Sequence, residues 1–117
     1  MFVIKEPDNF SFEKVGIRGK IFSTEALTQK SEFVLIETET GHETMIRERE
    51  CVFSYYVLEG HGYFQIDGQR EDCATGDLVV IPAGKSFIYK GKMKLLLNCT
   101  PPWSESQEEN LIFVDKA

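Results

Sequence analysis

An all-β fold, closed as a small antiparallel barrel or packed as a sandwich, is what this sequence predicts. Between residues 52 and 91, short alternating stretches are separated by turn signals at Glu59-Gly60, Asp67-Gly68, Ala74-Asp77 and Pro82-Lys85. The chain as a whole offers about nine to eleven such stretches, spaced by under about a dozen residues, with almost no helical period. So many half-apolar strands bury their faces only by closing on themselves or against a second sheet.

Taken in order, the first thirty residues read as edge strands and loops. Phe2-Val3-Ile4 is a short apolar run, Pro7-Asp8-Asn9 a turn signal, and Phe10 and Phe12 alternate with polar neighbours, with Gly16 and Gly19 following. Ser23 to Leu27 can open a helical turn, but nothing after Lys30 continues a helical period. Glu32 to Thr40 is a core strand with a polar end, and Thr44 to Arg49 is the next. On that second strand Arg47 and Arg49 share a face with Met45, while Ile46, Glu48 and Glu50 share the other.

Val52 to Glu59 is the strongest strand signal, rich in aromatic and β-branched residues. Gly60-His61-Gly62 is expected to end it, with Tyr63 to Asp67 pairing back as a hairpin. Asp67-Gly68 predicts a two-residue turn of type I′, returned by Gln69 to Cys73. Leu78 to Ile81 is a continuous apolar strand halted by Pro82, which has no N–H to give. Ser86 to Lys90 and Lys92 to Asn98 are expected to pair across Gly91. Ser104 to Glu109 is acidic and reads as a short helix or loop. Residues 111–114, LIFV, call for a covering partner.

With 117 residues the chain predicts one domain, 1–117, whose core barrel spans about 31–100 and whose terminal segments pack on the barrel or on a partner. Any site then lies inside that domain or between two copies. Apolar segments 2–4 and 111–114 would cover open sheet edges in a homodimer. No stretch is long and apolar enough for a membrane helix, and Lys5, Glu6 and Asp8 interrupt the N-terminal apolar residues, so a cytoplasmic protein without a membrane partner is expected. The net charge of −6, with arginine only at 18, 47, 49 and 70, argues against a nucleic-acid partner. Cys51, Cys73 and Cys99, odd in number and widely spaced, read as buried free thiols and not as a disulfide framework or thiolate metal site.

Half of the chain resembles the cupin superfamily. Its first motif, G-x5-H-x-H-x3-E-x6-G, is similar to Gly41-x5-Arg47-x-Arg49-x3-Phe53-x6-Gly60, including the string YVLEG at 56–60. Its second, G-x5-P-x-G-x2-H-x3-N, is similar to Gly76-x5-Pro82-x-Gly84-x2-Phe87-x3-Gly91. The TPPW segment at 100–103 also looks like the tail of small cupins. The resemblance implies a double-stranded β-helix, the jelly-roll barrel. In metal-dependent relatives the three histidines and the glutamate bind a divalent cation. Arg47, Arg49, Phe53 and Phe87 stand at those positions, and neither guanidinium nor phenyl can ligate one, so no metal or other cofactor is expected.

If both arginines enter the barrel, Arg47, Arg49, Phe53 and Phe87 make a pocket half cationic and half apolar, suited to a small anionic or sugar-derived ligand. The competing expectation is that the phenylalanines fill the barrel while the arginines reach solvent. Alternation adds Tyr55 and Tyr89 to the inward face, and Tyr63 or Gln65 as further lining residues. Tyr55 and Tyr89 are candidates for hydrogen-bonding a ligand or for general-acid catalysis, as tyrosine serves in metal-free epimerases of the superfamily. His42, before its strand, is either a solvated or capping residue or an acid or base at the barrel mouth. Cys51 reads as an inert buried thiol. Three functions remain open: a metal-independent binding or sensing protein, a metal-free epimerase, isomerase or lyase, and an interaction protein with a filled barrel.

Overall fold

In a computed structural model, which describes residues 2–103 and 108–111, every regular element is a β-strand. These are β1 (Phe12–Lys14), β2 (Ile17–Ile21), β3 (Glu32–Thr38), β4 (Met45–Glu48), β5 (Val52–Ile66), β6 (Gln69–Ala74), β7 (Leu78–Ile81), β8 (Ser86–Lys90), β9 (Met93–Thr100) and β10 (Glu108–Leu111). All pairings are antiparallel. One sheet runs β1-β2-β3-β9-β5-β7, and the other runs β10-β4-β8-β5-β6. The curled sheet is the jelly-roll architecture that the motifs imply. Among the described residues no helix is long and apolar enough to cross a membrane.

Strand β5 joins the two halves. Val52 to Gly60 pairs with β9, while His61 to Ile66 pairs with β6. The expected hairpin at Gly60-His61-Gly62 is therefore replaced by one strand passing from sheet to sheet. A register shift between Val57 and Glu59 marks a bulge there, and the extra residue bends the strand around the barrel corner. The expected hairpin across Gly91 is also corrected. Strand β8 pairs with β4 and β5, whereas β9 pairs with β3 and β5. Sending consecutive strands to opposite sheets lets each cover the apolar face of the other.

Other expectations hold locally. Asp67 and Gly68 both take positive φ, 47° and 82°, as a type I′ turn requires. Val15 and Gly16, at 47° and 85°, make a second such turn and fold the N-terminal stretch into the β1–β2 hairpin, which the sparse alternation there had not disclosed. Thr24 to Thr28 forms one hydrogen-bonded turn and no helix. Glu108 and Glu109 belong to β10, against β4. Residues 104–107 and 112–114, where a loop and further apolar cover were expected, lie outside the described residues.

The core lies between the two inner faces, where Val57, Phe64, Phe87, Tyr89 and Leu95 are fully buried. The loop between β3 and β4 is held on both sides of this core. Thr38 Oγ1 donates to the Gly16 carbonyl and accepts from the Gly41 N–H, both at 2.8 Å, and the Glu43 N–H donates to the Val15 carbonyl at 2.7 Å. On the other side, the His42 N–H donates to the Tyr89 carbonyl at 2.9 Å. Gly41 has φ 109°, and a Cβ there would collide with the Tyr89 carbonyl and Lys90 Cα. Gly41→Ala is expected to destabilise the fold by about 2 kcal/mol or more and to displace His42. Urea denaturation together with the His42 ring NMR signals would check it, and unchanged values would contradict this account of the loop.

Candidate active site

An open cavity of about 410 Å³ enters the barrel between the β1–β2 hairpin and β5. Its inner wall carries Val34 and Ile36 from β3, Ile46 from β4, Phe53 and Tyr55 from β5, and His42 from the pinned loop. Its mouth carries Phe12, Lys14, Glu32 and Trp103. A volume of this size suits a small organic ligand, with apolar walls to exclude water and few polar groups to orient it.

His42 is buried, at 5% exposure, and burial together with the Lys90 and Lys14 charges pushes its pKa down to about 4. The ring is therefore neutral near pH 7. Thr44 offers Nδ1 two contacts, its backbone N–H at 3.2 Å and its hydroxyl at 3.3 Å. The N–H requires an unprotonated Nδ1, whereas the hydroxyl can accept from Nδ1–H and leave the other ring nitrogen free as a base. The hydroxyl can rotate to suit either tautomer, whereas the fixed backbone N–H favours an unprotonated Nδ1.

Tyr55 and Tyr89 complete the group. Their rings lie 5.3 Å apart, and Tyr89 meets His42 edge-on at 5.6 Å. Phe64 stacks on Tyr89 at 4.9 Å and holds it from behind. Tyr89 is completely buried, and burial raises its phenol pKa, so it stays protonated. Its hydroxyl has no hydrogen-bond partner among the described residues. A buried unpartnered hydroxyl costs about 1–3 kcal/mol, a cost that a bound polar atom would remove.

The sequence-derived candidates separate into two groups. His42, Tyr55 and Phe53 line the cavity, with Tyr89 behind them and Phe87 packed edge-on against Phe53 at 5.4 Å. At the positions matching the usual ligands, then, an aromatic pair fills the barrel floor. The expectation that Arg47 and Arg49 point inward is corrected: the inward face of β4 is Ile46 and Glu48, with Arg47 half-buried and Arg49 exposed. Desolvating two guanidiniums would be costly. Glu48 is buried instead, its Oε1 accepting from the Glu50 and Cys51 N–H groups at 2.6 and 3.0 Å while Oε2 has no hydrogen-bond partner among the described residues.

Gln65 and Tyr63 are half-buried and lie off the cavity, while Phe64 turns inward. The bulge after Val57 slips the alternation by one residue, so parity counted from Phe53 fails beyond it. Cys51 Sγ donates to the Pro101 carbonyl at 3.0 Å, and burial and the Glu48 charge push the thiol up to about 12, as befits an inert cysteine. Sequence reasoning missed Lys14, Glu32 and Trp103 at the mouth. The only trace they left was the TPPW string. Among the described residues no group of three or more His, Cys, Asp or Glu side chains could hold a metal ion.

A family model described as "Cupin domain" matches residues 33–94. The HTH-type transcriptional regulator AlkR of Acinetobacter baylyi is 26% identical over 84 residues, covering 70% of this chain and 27% of the regulator. The chain thus spans about a quarter of that relative's length. Streptomyces PAC13 with uridine has been solved in forms carrying H42Q, Y55F and Y89F, with TM-scores of 0.89, 0.88 and 0.88 and identities of 21%, 22% and 22%. Each of these three matches covers 98% of this chain, and they cover 94%, 95% and 95% of the PAC13 chain. Another structure, of Pac13 described as a unique nucleoside dehydratase, has TM-score 0.86 and 23% identity, covering 95% of this chain and 92% of the other. At these identities the likeness establishes the shared fold.

The His42 pKa has a consequence for stability. Above its ordinary value of 6.5 the ring is neutral in both folded and unfolded chains. As pH falls from 6.5 towards 4, the unfolded chain binds a proton that the folded one refuses, and stability is lost. The loss amounts to on the order of 3 kcal/mol across the window. Urea denaturation of wild type and H42Q between those limits would measure it as the difference between two slopes. Parallel slopes would place the His42 pKa near its ordinary value.

Proposed function

The chain belongs to the cupin domain family, and we propose that it is a metal-independent lyase that removes water from the sugar portion of a nucleoside or related sugar-derived ligand. The observation that carries the reading is the meeting of a neutral buried His42 with Tyr55 and the unpartnered hydroxyl of Tyr89 in one barrel. PAC13, a protein of similar fold described as a nucleoside dehydratase, has been solved with uridine after substitution of a histidine and two tyrosines numbered 42, 55 and 89, and this chain has the same residue types at those numbers.

The chemistry follows from the side chains present. A neutral imidazole cannot remove a proton from an unactivated carbon, so the sugar must carry a carbonyl beside the carbon that is deprotonated. His42 takes that proton, and the electron pair moves onto the carbonyl oxygen, where tyrosine hydroxyls donate hydrogen bonds to the developing charge. Collapse of the enolate forms a carbon–carbon double bond and expels the hydroxyl on the next carbon. That hydroxyl takes the proton from the imidazolium and leaves as water. Proton and charge balance within the cycle, and His42 returns to its starting state.

A sugar-derived ligand, anticipated from the sequence, fits this reading, but the arginines lie outside the cavity and the polar work passes to His42 and the tyrosines. Binding without turnover is the second reading, favoured by the likeness to part of a transcriptional regulator. The open cavity counts against a filled barrel.

The test is incubation with nucleosides oxidised to a carbonyl on the sugar, following loss of one water by mass spectrometry. Wild type is expected to turn over in the presence of a chelator. H42Q should lower kcat by about 100-fold or more, and Y55F and Y89F by about 10-fold or more each. T44S should keep the wild-type pH profile, while T44V, which lacks the hydroxyl acceptor, should lower kcat and shift the profile. Binding of these compounds without dehydration would favour the second reading, and turnover indifferent to H42Q would end the first.

A further inference from the structure

The cavity mouth is constructed differently from its interior. Phe12 stands opposite Gly19 in the β1–β2 register, and its ring lies in the space a Gly19 side chain would fill, since a Cβ there would collide with the ring. Trp103, the only tryptophan of the chain, is tethered by its backbone N–H to the Glu32 carboxyl. Lys14 stands near both rings, its Nζ 5.9 Å from the Phe12 centroid and 5.3 Å from the Trp103 centroid. All four side chains line the same cavity as His42 and Tyr55.

Two aromatic rings near one ammonium form a particular kind of receptor. Both ring faces carry negative quadrupole potential, which here attracts the lysine cation. The same faces accept a flat, electron-poor heterocycle by stacking. Lysine is a flexible point charge, so its ammonium can swing to the edge of an incoming ring and donate to a carbonyl oxygen there. An aliphatic group or an unoxidised sugar has neither a π face to stack on the rings nor a carbonyl oxygen for the ammonium.

We propose that Phe12, Lys14 and Trp103 form a subsite at the barrel mouth that binds the planar, carbonyl-bearing heterocyclic base of the ligand, while the sugar enters towards His42 and Tyr55. The proposal rests on the lyase reading for the orientation of the sugar, and it adds the element that selects a nucleoside over a free sugar. Gly19 is a positioning residue in this arrangement, because it lets the Phe12 ring lie against β2 and leaves the mouth open.

Trp103 supplies its own reporter. Uridine, uracil and methyl β-D-ribofuranoside would each be titrated into the full chain, following tryptophan emission and, in parallel, heat by calorimetry. Uridine and uracil are expected to change the emission, and the methyl riboside to leave it unchanged. F12L and W103L, the latter followed by calorimetry, should weaken uridine about tenfold each, with W103F retaining most of the affinity. K14M, at an exposed position, should weaken uridine and uracil together without altering the melting temperature. G19A should weaken uridine through the displaced Phe12 ring.

The proposal is overturned if uridine binds F12L, W103L and K14M as it binds wild type, if the methyl riboside matches uridine, or if neither uridine nor uracil binds. Failure of the lyase reading looks different. His42-dependent dehydration of a base-free carbonyl sugar would keep that reading while ending this one. Base-dependent binding without any dehydration would do the reverse.

Discussion

A single strand shared by both sheets is the constraint on which the barrel depends. Strand β5 gives its first half to one sheet and its second half to the other, and the bulge between Val57 and Glu59 turns it between them. An unbulged strand would keep its alternation and point Tyr63 and Gln65 at the core. With the bulge, Phe64 turns inward and stacks on Tyr89. The position of a candidate catalytic tyrosine thus depends on one extra residue about thirty positions earlier in the chain.

The second organising feature is the β3–β4 loop. It lies between the turn at Val15-Gly16 and the backbone of β8, with hydrogen bonds from Thr38, Gly41, His42 and Glu43 on both sides. Loops are ordinarily the mobile part of a domain. This one is clamped between two strand systems, and the clamp holds an imidazole neutral and buried beside two phenols. Stability is given up at the same place, since the Tyr89 hydroxyl is buried without a partner among the described residues. Groups buried at a cost and held rigidly are what electrostatic preorganisation requires.

Much of the fold was legible because turn chemistry and strand periodicity are local. Asp67-Gly68, Pro82 and the Val52–Tyr56 aromatic run each act through their own backbone preferences, and each appears where it was expected. The errors were non-local. Which strands pair across Gly91, and whether β5 ends at Gly60, depend on how two sheets share apolar surface, which no window of neighbouring residues contains. The candidate site divides similarly. Tyr55 follows from parity with Phe53 and Tyr89 from parity with Phe87. The inward face of β4 could not be chosen, because its two faces are nearly equal in polarity; the fold buries Ile46 and Glu48, whose Oε1 accepts from two backbone N–H groups.

The sequence by itself determined the all-β class, the glycine and proline framework of a cupin, and the replacement of its usual ligand positions by side chains that cannot coordinate a metal. Those are properties of residue types at fixed spacings, and they survive any detail of packing. Only the tertiary structure decided that His42 is a buried neutral base candidate, that the arginines leave the cavity, and that Phe12, Lys14 and Trp103 meet at its mouth. Burial, electrostatic environment and the meeting of residues ninety positions apart are produced by chain closure, and they exist only once the two sheets have come together.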